Sequence, residues 1–352
     1  MTDLIYVCYL GSKMGTIVFF SAMFLSGVWA DCVRNAKLLV NAPTKELKAL
    51  SGSCLEIPCT FRAEGQTMDT SKPIYGVWIK SDPRIKFTNN IIFNSSGATT
   101  RYPMKIIGNM AQKNCTTMFS NLTTRHTDKY FFRVENEAFK ATASCHIIQV
   151  TVKDSWSPII QISGKQTETE VVTITCTAVT PCPHAPPQLT WDPHQGTRHI
   201  TETNADGTFT TKITQKVTLT HSDDGRQIKC TAAYRINGKI KMAANTIKLN
   251  VTYGPKDTSF EVSPSGSLSA GQSVTLSCSS RAKPPVHNFT WFRHSSQGPA
   301  NVSQRHTYSF NFNEASHGEY YCVAWNKVGK QTSQMIHVGP GGNTRILFKG
   351  TM

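Results

Sequence analysis

An all-β chain built as several sandwiches in series is what the sequence predicts, and three observations predict it. The first is a frame of two cysteines about a tryptophan that occurs twice: Cys176, Trp191 and Cys230, then Cys278, Trp291 and Cys322. In "VVTITC" and "GQSVTLSC" apolar residues alternate with polar ones before the cysteine, as half-buried strands require. The second is length, since 352 residues suit two or three domains of ordinary size. The third is a third tryptophan, Trp78 in "YGVWIK", preceded by Cys54 and Cys59 in "CLEIPC". Two cysteines and a tryptophan at this spacing are the core frame of an immunoglobulin sandwich. The expected fold is therefore three immunoglobulin-like sandwiches in series, one variable-type and two constant-type.

Taken in order, residues 1–30 read as a signal peptide. Lys13 precedes the apolar run Gly15–Leu25, and Val28 and Ala30 stand where signal peptidase prefers small residues. Met14 is an alternative start that would leave Cys8 out. The run is shorter than the about 20 apolar residues of a membrane span, and no later segment is apolar enough to cross a bilayer. The expected product is extracellular: secreted as written, or a plasma-membrane ectodomain if the anchor lies beyond the chain. Residues 31–154 form the first, variable-type unit, whose length between Trp78 and Cys115 leaves room for extra strands. Residues 155–254 and 255–340 form two constant-type units, and 341–352 a Gly-rich tail. "TVKDSWSP" and "NVTYGPKD" mark the joins, where alternation gives way to Pro-containing turns. Tyr320, two residues before Cys322, fits the tyrosine corner; in the second unit Ile228 stands in that place.

Removing Cys8 with the leader leaves ten of eleven cysteines, an even number that in an exported chain favours disulfides over metal binding. Six Asn-x-Ser/Thr sequons, at Asn94, Asn114, Asn121, Asn250, Asn288 and Asn301, agree with that address and are the expected glycosylation sites. In the first unit the strand "DKYFFRVE" carries Phe132 where the second core cysteine normally stands. Cys115 in "KNCTTMFSNL" is the nearest candidate partner for Cys59, on a strand of the same sheet. Cys54 and Cys59 are an odd number apart, so they face opposite ways along a strand. With Cys59 inward, Cys54 points outward, and Cys182 in "TPCPHAPP" is a candidate close to the join. Cys54 and Cys59 as half a zinc site is the alternative, without histidines to complete it. Cys176–Cys230 and Cys278–Cys322 are the expected core bridges. Cys32 and Cys145 remain by elimination as an intrachain pair, with an intermolecular bridge as the rival.

The stretches "GSCLEIPCTF", "KNCTTMFSNL", "DKYFFRVE" and "TPCPHAPPQLTW" resemble the Siglecs, the sialic-acid-binding immunoglobulin-type lectins. The resemblance extends over essentially the whole mature chain. It implies a variable-type first domain with a disulfide between two strands of one sheet, Cys59–Cys115. It also implies an interdomain disulfide, Cys54–Cys182, and constant-type domains beyond. Above all it implies that Arg133, which matches the family's arginine, pairs with the carboxylate of sialic acid. Two departures are visible. Leu39 stands where the family has an aromatic residue on the first strand, and the nearest later aromatic is Phe139, in the turn after "DKYFFRVE".

Alternation turns Tyr130 and Phe132 inward and leaves Phe131 and Arg133 on the open face. A guanidinium offers a planar fork that matches a carboxylate two bonds at a time. The expected carbohydrate-binding residues are Arg133 and, beside it, Phe139. The bland alternative is a solvated strand arginine paired with Glu135. One charge-assisted hydrogen bond contributes about 1.5–3 kcal/mol, so a single site would bind with about millimolar affinity and clustered, multivalent presentation would be needed. The expected partners are sialylated glycoproteins or glycolipids in cell adhesion or immune-cell recognition. The alternative is protein–protein adhesion through the same sheet, or a soluble decoy without glycan binding. No enzyme is expected, because neither a His-x-x-x-His pattern nor a Gly-x-Ser-x-Gly elbow occurs, and no cofactor or metal is called for. The net charge of +15 comes from scattered Lys and Arg, which favours acidic partners and gives no nucleic-acid patch.

Overall fold

A computed structural model describes residues 36–340, apart from 44–45, 66 and 193–198. The signal peptide, Cys32 and the tail lie outside the described residues. Among the described residues the regular elements are strands and five single-turn helices, arranged as three sandwiches with separate hydrophobic cores.

In the first sandwich the larger sheet runs in the order Leu47–Leu50, Ile148–Lys153, Asp128–Glu135, Tyr75–Lys80, Ile91–Asn94 and Thr99–Thr100, with Lys140–Thr142 also pairing onto Asp128–Glu135. Leu47–Leu50 runs parallel to Ile148–Lys153. Ile91–Asn94 and Thr99–Thr100, beyond Tyr75–Lys80, are the extra edge strands of a variable-type domain. Facing them, Leu55–Ile57, Thr117–Phe119 and Met104–Ile106 form one ribbon and Leu38–Asn41 with Thr60–Ala63 another. Trp78 is fully buried between the layers. Phe132 meets it edge-on, with ring centroids 5.1 Å apart, so an aromatic ring fills the space a core disulfide would take. The Trp78 indole N–H, which has no partner in a purely apolar core, donates to Thr117 Oγ1 at 3.0 Å. Tyr130 makes the corner of this unit, its hydroxyl donating to the His126 carbonyl at 2.7 Å.

The second sandwich sets four strands, Ile159–Ser163, Val171–Val179, Phe209–Thr218 and Ile200–Thr203, on three, Gln188–Asp192, Gln227–Ile236 and Lys239–Lys248. That four-on-three division is the constant-type plan. In the third sandwich Tyr253–Ser263, Ser273–Lys283 and Thr307–Asn311 form the smaller sheet. The short strand Gly298–Ser303 has moved to the opposite layer, beside Asn288–Ser295. The Tyr320 hydroxyl donates to the Ser316 carbonyl at 2.8 Å, and burial pushes its pKa up to about 12.

The bridges divide by geometry. Cys176–Cys230 and Cys278–Cys322 cross between layers with Cα atoms 6.4 Å apart. Cys59–Cys115 spans only 4.8 Å, the separation of cross-strand neighbours within a sheet, and the Cys115 N–H donates to the Cys59 carbonyl. Cys54–Cys182 ties the first sandwich to the second, with Cα atoms 5.3 Å apart. The joint has its own packing. Leu50 is buried in the core of the second sandwich, the Trp156 indole donates to the Ala49 carbonyl at 2.8 Å, and the Glu56 N–H donates to the Pro181 carbonyl at 2.9 Å. Cys145 is disulfide-bonded, while Cys32 lies outside the described residues.

Candidate functional site

Arg133 sits near the end of the Asp128–Glu135 strand, opposite Val77 on one side and Thr142 on the other. Tyr130, Phe132 and Val134 are fully buried in the core, so Phe131, Arg133 and Glu135 occupy the outer face of the sheet. That face is less open than the alternation implies. Phe131, Val77 and Ile79 pack together on it, with Ile91 against them, and Arg133 retains only 8% exposure. Its guanidinium is held at two corners. Nε donates to Glu135 Oε1 at 2.8 Å, and Nη1 donates to Thr142 Oγ1 at 3.2 Å. Nη2 has no protein partner among the described residues.

The Glu135 contact is the ion pair that the bland sequence reading anticipates, and it changes what the arginine can offer. A guanidinium presents two forks, the Nε/Nη2 edge and the Nη1/Nη2 edge. Glu135 takes half of the first. Thr142 takes one Nη1 hydrogen, so the second Nη1 hydrogen and the Nη2 hydrogens are left, and a carboxylate bridging Nη1 and Nη2 needs only one from each. Glu135 also fixes the plane of the group, which reduces the rotamer freedom lost when a ligand binds.

Phe139 requires a correction. It is 2% exposed and belongs to the core, so it cannot form an apolar wall beside Arg133. Parity gives the reason: the returning strand Lys140–Thr142 places Ala141 opposite the inward Val134, and Phe139 shares the face of Ala141. Besides the buried Phe131, the outer face carries an exposed aromatic residue, Tyr75, 37% exposed and directly opposite Glu135. Sequence carries a signal for it, since Tyr75 lies three residues before the core Trp78 and so must face the other way. Leu39 is also exposed, but on the Leu38–Asn41 strand of the facing layer. Of the sequons, Asn94 lies on the candidate face, paired with Val77 and so two strands from Arg133.

Asn136 is the residue sequence reasoning missed. It is 3% exposed, and its amide donates to the carbonyls of Asp69, Lys72 and Pro73 at 3.1, 3.4 and 3.0 Å. It thereby clamps the loop before Tyr75 to the turn after Glu135. Asn326 repeats the device in the third sandwich, donating to the carbonyls of Tyr253 and Pro284. That recurrence of Asn after the strand is the signal available in the sequence. Asn136→Ala leaves those carbonyls without their buried donor, and an unsatisfied buried group costs about 1–3 kcal/mol. Thermal unfolding of the purified variant should show that loss in the transition the first sandwich shares with the second, with the third sandwich unchanged.

Comparison with known proteins comes to the same region of protein space. The chain is 25% identical over 298 residues to myelin-associated glycoprotein of Mus musculus, covering 81% of this chain and 45% of that protein. It is 24% identical over 313 residues to sialic acid-binding Ig-like lectin 10 of Homo sapiens, covering 80% and 43%. Sialic acid-binding Ig-like lectin 13 of Pan troglodytes matches at 22% over 340 residues, covering 88% and 83%. The chain is a relative of the Siglecs. It spans less than half the length of the first two of these relatives. The immunoglobulin domain family matches residues 258–338, the third sandwich. Among solved structures, the mouse nectin-like molecule 4 ectodomain (Ig1–Ig3) aligns with 84% of this chain and 96% of its own, at 16% identity and a TM-score of 0.45. Among the described residues no helix is long and apolar enough to cross a membrane, and no group of three metal-ligating side chains occurs.

Proposed function

We propose that this Siglec relative binds terminal sialic acids at the outer face of its first sandwich and acts in adhesion or immune-cell recognition at the cell exterior. The observation that carries the reading is the state of Arg133. Its guanidinium is fixed in place by Glu135 at Nε and by Thr142 at Nη1, yet one hydrogen on each of Nη1 and Nη2 remains for a ligand along their shared edge. A sialic acid carboxylate, ionised at neutral pH, is the planar anion such an edge takes. Tyr75 supplies the apolar surface next to it, in the role the sequence gives to Phe139. Sialylated glycoproteins or glycolipids are the partners, engaged by several copies at once. A glycan array probed with multimerised chain, with sialidase-treated glycans alongside, tests the reading. Signal on sialylated glycans alone supports it, and equal signal after sialidase removes it.

The Glu135 pair also favours a second reading, in which Arg133 is satisfied within the protein and the face contacts another protein. Glu135→Gln separates the two. For a carboxylate ligand it removes a nearby negative charge, and sialoside binding should strengthen severalfold in glycan-array titrations. For an ordinary strand ion pair it changes nothing in sialoside binding, since such a pair contributes to stability alone.

A further inference from the structure

At the far end of the chain, two histidines that no part of the lectin reading uses stand with their ring nitrogens face to face. His317 Nε2 and His337 Nε2 are 3.1 Å apart, with the rings nearly perpendicular at 85°. We infer that His317 and His337 form a binding site for a borderline divalent transition metal ion, Zn2+ or Cu2+, on the third sandwich. Zinc binds imidazole nitrogen at about 2.0–2.1 Å, so two nitrogens at this separation subtend an angle of about 100° at a shared ion. That is close to tetrahedral. Imidazole is a ligand suited to both ions.

Several features of the backbone converge on the pair. His337 lies on Ile336–Val338 opposite Glu319, and the pairing of Gly318 with Val338 sets His317, one residue earlier, beside Gly339. The Arg293 guanidinium donates through Nη2 to the His317 carbonyl at 2.6 Å, which anchors that residue's backbone. Gly339 leaves room for the rings. A Cβ there would come within 2.8 Å of His317 Nε2 and 3.0 Å of His337 Nε2. A cleft of about 530 Å³, lined by Phe260, Ser263, Ser265, Ile336, His337 and Gly339 among others, opens beside the site and gives a hydrated ion access. Among the described residues no third His, Cys, Asp or Glu completes a ligand group, so water fills the remaining positions. Glu319, paired with His337 across the two strands, has its carboxylate 3.9 Å from His294 Nδ1. The competing account is a hydrogen bond between the two rings, one Nε2 protonated and the other not.

Titration of the glycosylated chain with Zn2+ by calorimetry, and with Cu2+ by electron paramagnetic resonance, tests the site. The expected result is a Cu2+ spectrum showing coupling to two imidazole nitrogens, lost in His337→Ala, with Zn2+ affinity falling at least about tenfold. Gly339→Ala, which keeps both histidines but crowds the rings, should weaken binding as well. Zn2+ should also raise the unfolding temperature of the third sandwich in wild type and not in His337→Ala, because a ligand held only by the folded state stabilises it. Unchanged stoichiometry and affinity in His337→Ala, or a wild-type spectrum with fewer than two imidazole nitrogens, overturns the inference and leaves the interring hydrogen bond as the account. Circular dichroism of both variants separates loss of the site from loss of the fold.

Discussion

Arg133→Ala should abolish binding of a multivalent first-two-sandwich protein to sialylated cells while leaving it folded. Loss of the carboxylate contact removes about 2 kcal/mol per site, within the range for charged hydrogen bonds, or about thirtyfold for one copy. With several copies acting together the loss compounds. The fold survives because Trp78, Phe132 and Tyr130 fill the core without the arginine, and the released Glu135 carboxylate, 32% exposed, is solvated. A small fall in melting temperature is expected, since the arginine stem covers part of the sheet face. Arg133→Lys is the sharper variant: it keeps the charge and loses the fork, and it should bind far less than wild type. Cell binding by Arg133→Ala equal to that of wild type, and indifferent to sialidase, would return the site to the protein-contact reading.

The sequence was legible where one periodicity decided the outcome. Alternation set Tyr130 and Phe132 inward and Arg133 outward, and the odd spacing of Cys54 and Cys59 sent their side chains to opposite sides. Those are local consequences of the pleat. Failure came where the pleat had to be carried through a turn. Phe139 reads as exposed because a turn has no period, yet the hairpin return fixes it by pairing Ala141 with Val134. Exposure was equally hidden. Arg133 is on the expected face, but its 8% exposure depends on Phe131, Val77 and Ile79 from two strands gathering beside it. Asn136 escaped notice for a related reason, because its three acceptors lie more than 60 residues earlier in sequence and only the folded chain brings them together. Tyr75 is the counter-example, since its odd separation from the core Trp78 alone puts it on the outer face.

The largest stability effect is expected from cutting the joint between the first two sandwiches, with Cys54→Ser and Cys182→Ser together. Each sandwich keeps a bridge of its own, Cys59–Cys115 and Cys176–Cys230, so both should still fold. What the pair of substitutions removes is a crosslink closing a sequence separation of 128 residues. Chain entropy alone assigns such a loop about 5 kcal/mol at 25 °C. The measured loss should be smaller, because the joint is held without the bridge by Leu50 in the second core and by the bonds of Trp156 and Glu56 across it. The Lys241 ammonium adds a further bond to the Ser51 carbonyl at 2.9 Å. Calorimetry should therefore show one joint transition in the native protein resolving into two in the double variant, the first sandwich unfolding at the lower temperature. Sialoside binding at moderate temperature should persist, since Arg133, Glu135 and Thr142 all belong to the first sandwich and their contacts do not pass through the bridge. A single unshifted transition would mean that the noncovalent joint alone couples the two units.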